Sequence, residues 1–480
     1  MSKRAFIGLD QGTRSTKCLL VAESGEVLST AKRMVGLLNQ GQGQVAQDPH
    51  ELLQSVREVL AEVRAFADLN QFEVAAIGLA TQRSGVCAWS LDDGVVLHPL
   101  INWADTRFKA QIDSLADKSS YISDRTLLPV LPNYAAPKVA HLQKAFPENR
   151  IAIGTLDSFL CWHLDSSRPF ITDDTMAART LLYDIYDHCW SSNLCDIFAV
   201  NISRLAQVLP SIAEHGTIDS IPCFARIGDQ QAALYALRQY DADIVLNLGS
   251  IASLAFSTGA TPLQVKGFPG SILVSRDSPH GVIFEHLLEG ITNAAAQVVD
   301  TLIQKQFISD SSQIDGLCGE SINNGARGTL FLPLGSTASP HWRYDLPPVV
   351  LDCDGVSAAD YVRAAVENIA GFIIYQIEHL KAATLIPSKV RLVVAGGLAQ
   401  SSYLLQFLSA CLGDTILVAE IGEATAYGAA RAACDGFSQC AMPKWPTPAR
   451  TIAESLQMTK ARLRYDRWCK ILEKGLHERD

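Results

Sequence analysis

Long apolar runs are missing from this chain of 480 residues. No uninterrupted stretch reaches the length needed to cross a bilayer. The amino terminus, MSKRAFIGLD, has a short basic start but neither the apolar core nor the cleavage site of a signal peptide. Charge is sparse and one-sided: 19% of residues are charged and the formal net charge is -10. No basic cluster reverses that balance, which argues against nucleic acid or an anionic membrane surface as the main partner. The twelve cysteines are scattered, with no CxxC pair and no Cys/His spacing that suits zinc. They read as small buried side chains in a reducing compartment, so a cytoplasmic protein is expected. The eleven histidines form no HExxH pattern, and there is no GxxxxGKS/T loop, GxGxxG turn or GxSxG elbow. Function has to be sought outside those motifs.

What the sequence does have is apolar content, at 48%, and length enough for two large domains. AFIGLD reads as a buried strand, followed by KCLLVA and EVLSTA around a turn at Gly25. AQDPHELLQSVREVLAEVRAFADL then reads as a helix with Asp48 as N-cap and Pro49 in the first turn. Leu52, Leu53, Val56, Val59, Leu60, Val63 and Phe66 form its apolar face. VAAIGLATQR is a further strand with a polar end. After RQYDAD a second series starts with the strand DIVLNLGS, and VIFEHLLEG and TLFLPLGS read as later strands. AADYVRAAVENIAGFIIYQIEHLKAAT is a long helix, KVRLVVAGGLAQSSYLLQFLSACL is strand, glycine pair and helix, and SLQMTKARLRYDRWCKIL is a last helix. The pattern is a strand meander plus helices, occurring twice, with no low-complexity linker. The expected domains are 1–240 and 241–480.

Four polar motifs stand at strand ends, where α/β proteins place their sites. GLDQGTRSTK carries Asp10, then Gly12, whose freedom at positive φ or in close approach suits a ligand-binding turn. Successive amides there make an anion-binding concavity. A carboxylate beside phosphate requires a cation between them, and Mg²⁺ meets that need with few protein ligands. Alone, the motif equally describes an ordinary Asp-Gly turn. GDQQAA places Asp229 at a helix start, where it serves as a cap or as the base that accepts a hydroxyl proton in phosphoryl transfer. TQRSGVCAW and INWADTR supply Gln82, Arg83 and Trp103, donors and a flat wall suited to a polyol or sugar. A surface Arg and a core Trp would look the same. AGGLAQSS sets a glycine pair before a helix, where a flat ring could approach the backbone. A tight turn has the same look.

In their order, these segments resemble the FGGY carbohydrate kinases, and most of all their glycerol kinase branch. The resemblance runs from Ile7 to Ala433. It takes in QDP at 47–49, TQR at 81–83, NWADTR at 102–107, NYAAPKVAHL at 133–142, GTLDSFLCWHL at 154–164 and TDDTMAARTLLYDI at 172–185. GDQQAAL at 228–234, NLGS at 247–250, LEGI at 288–291, AGGLAQS at 395–401 and EATAYGAA at 423–430 follow. The resemblance implies an α/β fold: two ribonuclease-H-like domains of the actin, Hsp70 and hexokinase ATPase type, flanking a cleft. It implies ATP and Mg²⁺, with Asp229 as catalytic base and Asp10 with Asp229 near the metal. Gly12, Thr13, Arg14 and Ser15 would contact the nucleotide phosphates, with Gly249 and Ser250 opposite them. Asn293 and Gln297 would add nucleotide contacts, and Gly396, Gly397 and Ser401 would lie at the adenine end. The acceptor would meet Arg83, Ser84, Trp103, Tyr134, Asp229 and Gln230.

There are departures. Glycerol kinases carry an acid where Ser84 stands, which implies more room and a different hydroxyl pattern. Ile251 replaces a second glycine, and His141 stands where the first signature usually has Trp. The expected activity is ATP-dependent phosphorylation of a primary hydroxyl, with glycerol the leading acceptor and a ketose, pentulose or other polyol next. A catalytically weak sugar- and nucleotide-binding regulator is the alternative of another class, and an ATPase switch with a protein partner a third. Asp10 and Asp229 argue against the regulator. Arg83, Trp103 and Gln230 argue against the switch. Self-association into a homo-oligomer stays open.

Overall fold

A computed structural model describes residues 3–41, 43–249, 251–292, 295–331, 339–341, 349–351, 355–438, 449–452 and 460–477. The strand Lys3–Gln11 is buried without alternation from Ala5 onward, and apolar as far as Leu9, because both its faces are covered. It pairs antiparallel with Ser15–Ala22 and parallel with Phe72–Thr81. The six-stranded sheet runs Thr217–Ile218, Ile221–Gly228, Phe72–Thr81, Lys3–Gln11, Ser15–Ala22, Val27–Met34. A three-strand meander is thus extended by two parallel strands and a short antiparallel edge strand.

The helix Pro49–Leu69 covers one face. The Asp48 carboxylate accepts from the His50 amide at 2.9 Å, as its N-cap position requires. Leu52, Val56, Val59, Leu60 and Val63 are buried. Phe66, expected on the same stripe, is instead 36% exposed, and Ala67 takes the buried place. The stripe advances by four from Val63 to Ala67, which turns Phe66 to its edge.

The second sheet has the same centre. Ile244–Leu248 pairs antiparallel with Ala252–Gly259 and parallel with Arg391–Ala395, which pairs in turn with Thr415–Ala419. Outside the hairpin lie Ile283–Thr292 and then Gly270–Arg276, and Ala449–Thr451 closes the other edge. The ribonuclease-H-like arrangement is therefore present twice. The long helix Ala358–Ala382 packs on this sheet with the end helix Ala461–His477, whose Tyr465, Trp468 and Leu472 enter the same core. In TLFLPLGS only Thr329–Phe331 is described, as a strand paired with Val349–Leu351.

The two halves interlock rather than merely face each other. The helix Ala424–Ser438 lies against the first sheet and crosses the helix Asp229–Leu237. A Cβ built on Gly8 would stand 1.8 Å from the Ala426 carbonyl oxygen, one on Gly78 2.0 Å from that of Ala429, and one on Gly428 1.8 Å from that of Ala232. Backbones touch at all three crossings, so no side chain fits there. On the other flank Ser275, from the second sheet, donates to Asp174 at 2.6 Å and accepts from the Ser211 amide at 2.8 Å.

Candidate active site

The polar ends of three first-sheet strands come together. Asp10 ends Lys3–Gln11, and Asp229 directly follows Ile221–Gly228. Arg83 follows Phe72–Thr81 by two residues. Arg83 Nε stands 3.3 Å from Asp229 Oδ1, and its Nη1 stands 2.8 Å from Glu289 Oε1. Gly228 makes this packing possible: a Cβ there would lie 2.9 Å from Arg83 Cδ. Asp229 Oδ1 also accepts from the Gln230 amide at 2.8 Å. Among the described residues Oδ2 has no hydrogen-bond partner, and the side chain is 25% exposed. Burial pushes the Asp229 carboxyl above the ordinary carboxylate range, while the Arg83 charge pulls it back.

Asp10 is nearly buried, and its pKa is pushed up to about 7. Burial is the main cause. Lys17, 3.8 Å away and opposite it in the strand register, opposes the rise, and the charge of Asp229 adds to it. The two aspartates are therefore close enough to sense each other. Lys17 is held more tightly by Glu423, at 2.6 Å, than by Asp10. A buried carboxylate raised further by a neighbouring one, with its nearby cation Lys17 already drawn toward Glu423, suits a divalent metal ion.

Glu289 joins Arg83 to Arg179, whose Nη1 donates to it at 2.9 Å. Burial would raise the Glu289 carboxyl, but the two guanidinium groups outweigh it and hold it below the usual range. Arg179 stacks over the Tyr134 ring at 5.3 Å. Its carbonyl accepts from the Ser84 hydroxyl at 3.0 Å. Ser84 sits in the left-handed region, φ 64°, and its own carbonyl accepts from the buried Lys138 Nζ at 2.8 Å. Lys138 also reaches the Asn133 carbonyl, at 2.7 Å. Position 84 therefore offers no carboxylate, and its hydroxyl already serves the chain. Trp103 is half-buried, and its indole N–H donates to Thr13 Oγ1 at 2.9 Å.

The second sheet brings glycine to its strand ends. Gly396 has φ 98°, and a Cβ on it would meet the Leu248 carbonyl oxygen at 2.6 Å. Gly397 beside it faces open space, with nothing within 4 Å of such a Cβ. Gly249 lies in the turn between the first two strands of that sheet, its amide donating to the Ile251 carbonyl at 3.2 Å. Across the groove Gln230 Oε1 meets Asn247 Nδ2 at 3.5 Å.

Arg83, Ser84, Tyr134 and Asp229 thus share one cluster. Thr13 and Trp103 adjoin each other, and Asp10 lies near Asp229. Gly12 lacks the positive φ that was one of its two expected uses; its amide donates to the Ser15 carbonyl at 3.0 Å in a tight hairpin. Arg14 is exposed at that hairpin, and Ser15 pairs with Met34. Ser401 caps the helix Ser402–Leu412 and donates to Asp315 at 2.7 Å, so its hydroxyl is engaged away from Gly397. Ser250, Asn293 and the side chain of Gln297 lie outside the described residues.

Sequence reasoning passed over Glu289, Arg179, Lys138 and Lys17. Glu289 had a signal, an acid set in the apolar stretch Leu287–Ile291 of its strand. The others carried none, since their partners come from distant segments.

The N-terminal domain model of the FGGY family of carbohydrate kinases matches residues 5–232, and the C-terminal domain model matches residues 252–435. A glycerol kinase of Thermus brockianus is 29% identical, over 98% of each chain. The crystal structure of Plasmodium falciparum glycerol kinase with ADP shares the fold with a TM-score of 0.88 at 22% identity, covering 99% of this chain and 98% of that one. A gluconate kinase from Lactobacillus acidophilus does so with a TM-score of 0.84 at 17% identity, covering 98% of each. With both of its domains matched in order over one continuous fold, the chain belongs to the FGGY family of carbohydrate kinases and is a phosphotransferase that uses an alcohol group as acceptor.

Proposed function

We propose that the chain transfers the γ-phosphoryl group of ATP to a primary hydroxyl of a small polyol or sugar, with glycerol the leading acceptor and Asp229 the base. The observation that carries this reading is the asymmetry of Asp229: Oδ1 is held by Arg83 and the Gln230 amide, while Oδ2 has no hydrogen-bond partner among the described residues. Held so, the carboxylate presents one oxygen to an incoming hydroxyl. As the hydroxyl oxygen bonds to the γ-phosphorus, its proton passes to Oδ2. The bond from phosphorus to the β–γ bridging oxygen breaks, and ADP leaves. Arg83 offsets part of the cost that burial sets on the ionised carboxylate. Residues 1–240 supply the acceptor pocket, phosphate hairpin and base, and residues 241–480 the nucleotide surface around Gly249, Gly396 and Gly397.

Asp10 is the residue to hold Mg²⁺, whose charge would neutralise phosphate oxygens. Glycerol leads because the closest motif pattern is that of glycerol kinases, as are the relatives by name. Ser84 in place of an acid leaves a ketose or longer polyol as the next candidate.

The test is a coupled ADP-release screen over glycerol, tetritols, pentitols and ketoses, with the wild type beside Asp229→Asn. Turnover on one acceptor class, lowered about 10²- to 10⁴-fold in the variant, is expected. Near-normal turnover by a folded Asp229→Asn protein would overturn the assignment of the base.

A further inference from the structure

We propose that the Thr13 hydroxyl belongs to the acceptor wall rather than to phosphate, and that through it the phosphate hairpin and Trp103 act as one unit. The inference rests on the phosphotransfer reading above. Thr13 Oγ1 receives the Trp103 indole N–H at 2.9 Å and lies 3.2 Å from Gln82 Oε1. Indole N–H can only donate, so Thr13 must accept there. Its single proton then goes to Gln82.

The direction of that last bond is forced from outside. The Ala104 amide donates to Asn102 Oδ1 at 2.9 Å, which fixes the Asn102 amide and turns its Nδ2 toward Gln82 Oε1 and Gln47 Oε1, both at 2.9 Å. Gln47 is fixed in the same way, because its Nε2 faces the carbonyls of Thr13 at 2.9 Å and Gly36 at 3.2 Å. Gln82 Nε2 then donates to Gln47 Oε1 at 2.8 Å and to Gln11 Oε1 at 3.3 Å, which leaves its Oε1 as the acceptor facing Thr13. Gln11, Gln47, Gln82 and Asn102 are all at most 1% exposed, so water cannot substitute for any member.

Backbone groups at the rim therefore orient every amide, and the network ends in the Thr13 proton. No hydroxyl proton is left for a phosphate oxygen, so Thr13 meets phosphate through its backbone. A shift of the hairpin onto phosphate drags the Thr13 hydroxyl, and with it the edge of the Trp103 ring. Acceptor and nucleotide are then coupled, and the coupling is reciprocal. Thr13 and Gln82 are positioning residues, acting through Trp103.

The experiment uses the full chain. The acceptor is whichever of glycerol, erythritol, xylitol or xylulose releases most ADP in the screen. Its affinity is measured with and without Mg²⁺ and the β,γ-imido analogue of ATP. The wild type is expected to bind acceptor at least fivefold more tightly with the analogue present. Thr13→Val, which keeps the shape and removes the hydroxyl, should bring that ratio to one and raise the acceptor KM more than it lowers kcat. Thr13→Ser should restore both. Trp103→Phe removes the other partner of the same bond, and the double variant should be no worse than the worse single one. A wild type without coupling, a Thr13→Val protein with the full ratio, or additive losses in the double variant would each overturn the proposal while leaving phosphotransfer intact. Absence of turnover on every acceptor would instead sink the phosphotransfer reading, and this inference with it.

Discussion

The two sheets of this molecule share a centre and differ at its polar ends. In the first, the strand ends carry Asp10, Arg83 and Asp229, and Glu289 reaches across to tie Arg83 to Arg179. In the second, the corresponding ends carry Asn247, the pair Gly396–Gly397, and Glu420, which is exposed. The first set of ends is built from charge held at set distances. The second offers bare backbone beside an amide and an exposed acid. A small, many-hydroxyl acceptor needs directed donors and a base, whereas a ring and phosphates need a surface they can approach closely. Equal topology has been given unequal chemistry, as expected when a site is grafted on a fold.

The sharpest way to break the comparison is to treat equivalent positions alike. Asp229 and Glu420 each follow the last parallel strand of their sheet's core. Asp229→Asn should lower kcat by about 10²- to 10⁴-fold, and Glu420→Gln by less than about twofold, as for a surface residue away from the chemistry. ADP release at saturating acceptor measures both. Comparable losses in the two variants would mean that the halves share the chemistry evenly.

The next effect concerns the joint between the halves. A methyl on Gly428 would sit 1.8 Å from the Ala232 carbonyl oxygen, so Gly428→Ala must spread two crossing helices. A loss of about 1–3 kcal/mol is expected by chemical denaturation, with acceptor KM rising as the groove is skewed. Unchanged stability would show that the crossing is soft.

The flank opposite that crossing titrates. Asp174, from the first half, accepts from Ser275 of the second and from Tyr183, and burial lifts its pKa from 3.8 to about 6. A raised folded-state value means that the native state prefers the protonated acid. That contribution is complete below pH 4 and is lost as pH rises toward 6 and beyond. The loss is on the order of 3 kcal/mol. Asp174→Asn should therefore show a shallower fall in stability between pH 4 and 6 than the wild type, by about one proton's worth of slope. Parallel slopes would remove Asp174 from the linkage.

How much of this could be read from the residues alone follows the same division. The first half was legible in part: apolar strands ending at Asp10 and just before Arg83 announce the sheet, and the meander repeated after residue 243 announces the second, whereas Ile221–Gly228, with Arg226 inside it, was not read as a strand. The helix at 49 was legible through its cap and stripe, apart from the turn of Phe66 to the edge. The links across segments were not. Nothing near Ser84 signals that its hydroxyl is bonded to the carbonyl of Arg179, and Ser401 in AGGLAQSS looks like a ligand contact until Asp315 appears beside it. Gly8, Gly78 and Gly428 look like ordinary small residues, and only the crossing of distant backbones gives their reason. Periodicity and strand-end chemistry are local, whereas these contacts are between segments up to hundreds of residues apart.

The smallest expected effect tests the bare side of the groove. Gly396 cannot change without striking Leu248, so a loss there would confuse folding with binding. Gly397 is free of that ambiguity, because nothing lies within 4 Å of the position a Cβ would take. If that bare backbone is where a flat ring lies, then Gly397→Val fills the space the ring requires, and its Cβ meets no atom within 4 Å. Stability should stay within about 0.5 kcal/mol of the wild type. The acceptor KM should also hold, since Arg83, Tyr134 and Asp229 are contributed by the other half. The ATP KM should rise by roughly three- to tenfold, about 1 kcal/mol or a little more. The larger side chain makes the comparison with Gly397→Ala informative, because a surface that merely tolerates nucleotide nearby would respond to neither. A ring seated against it should respond in order of size. An ATP KM indifferent to both substitutions would move the nucleotide off this strand end, and with it the idea that the second sheet traded charge for exposed backbone.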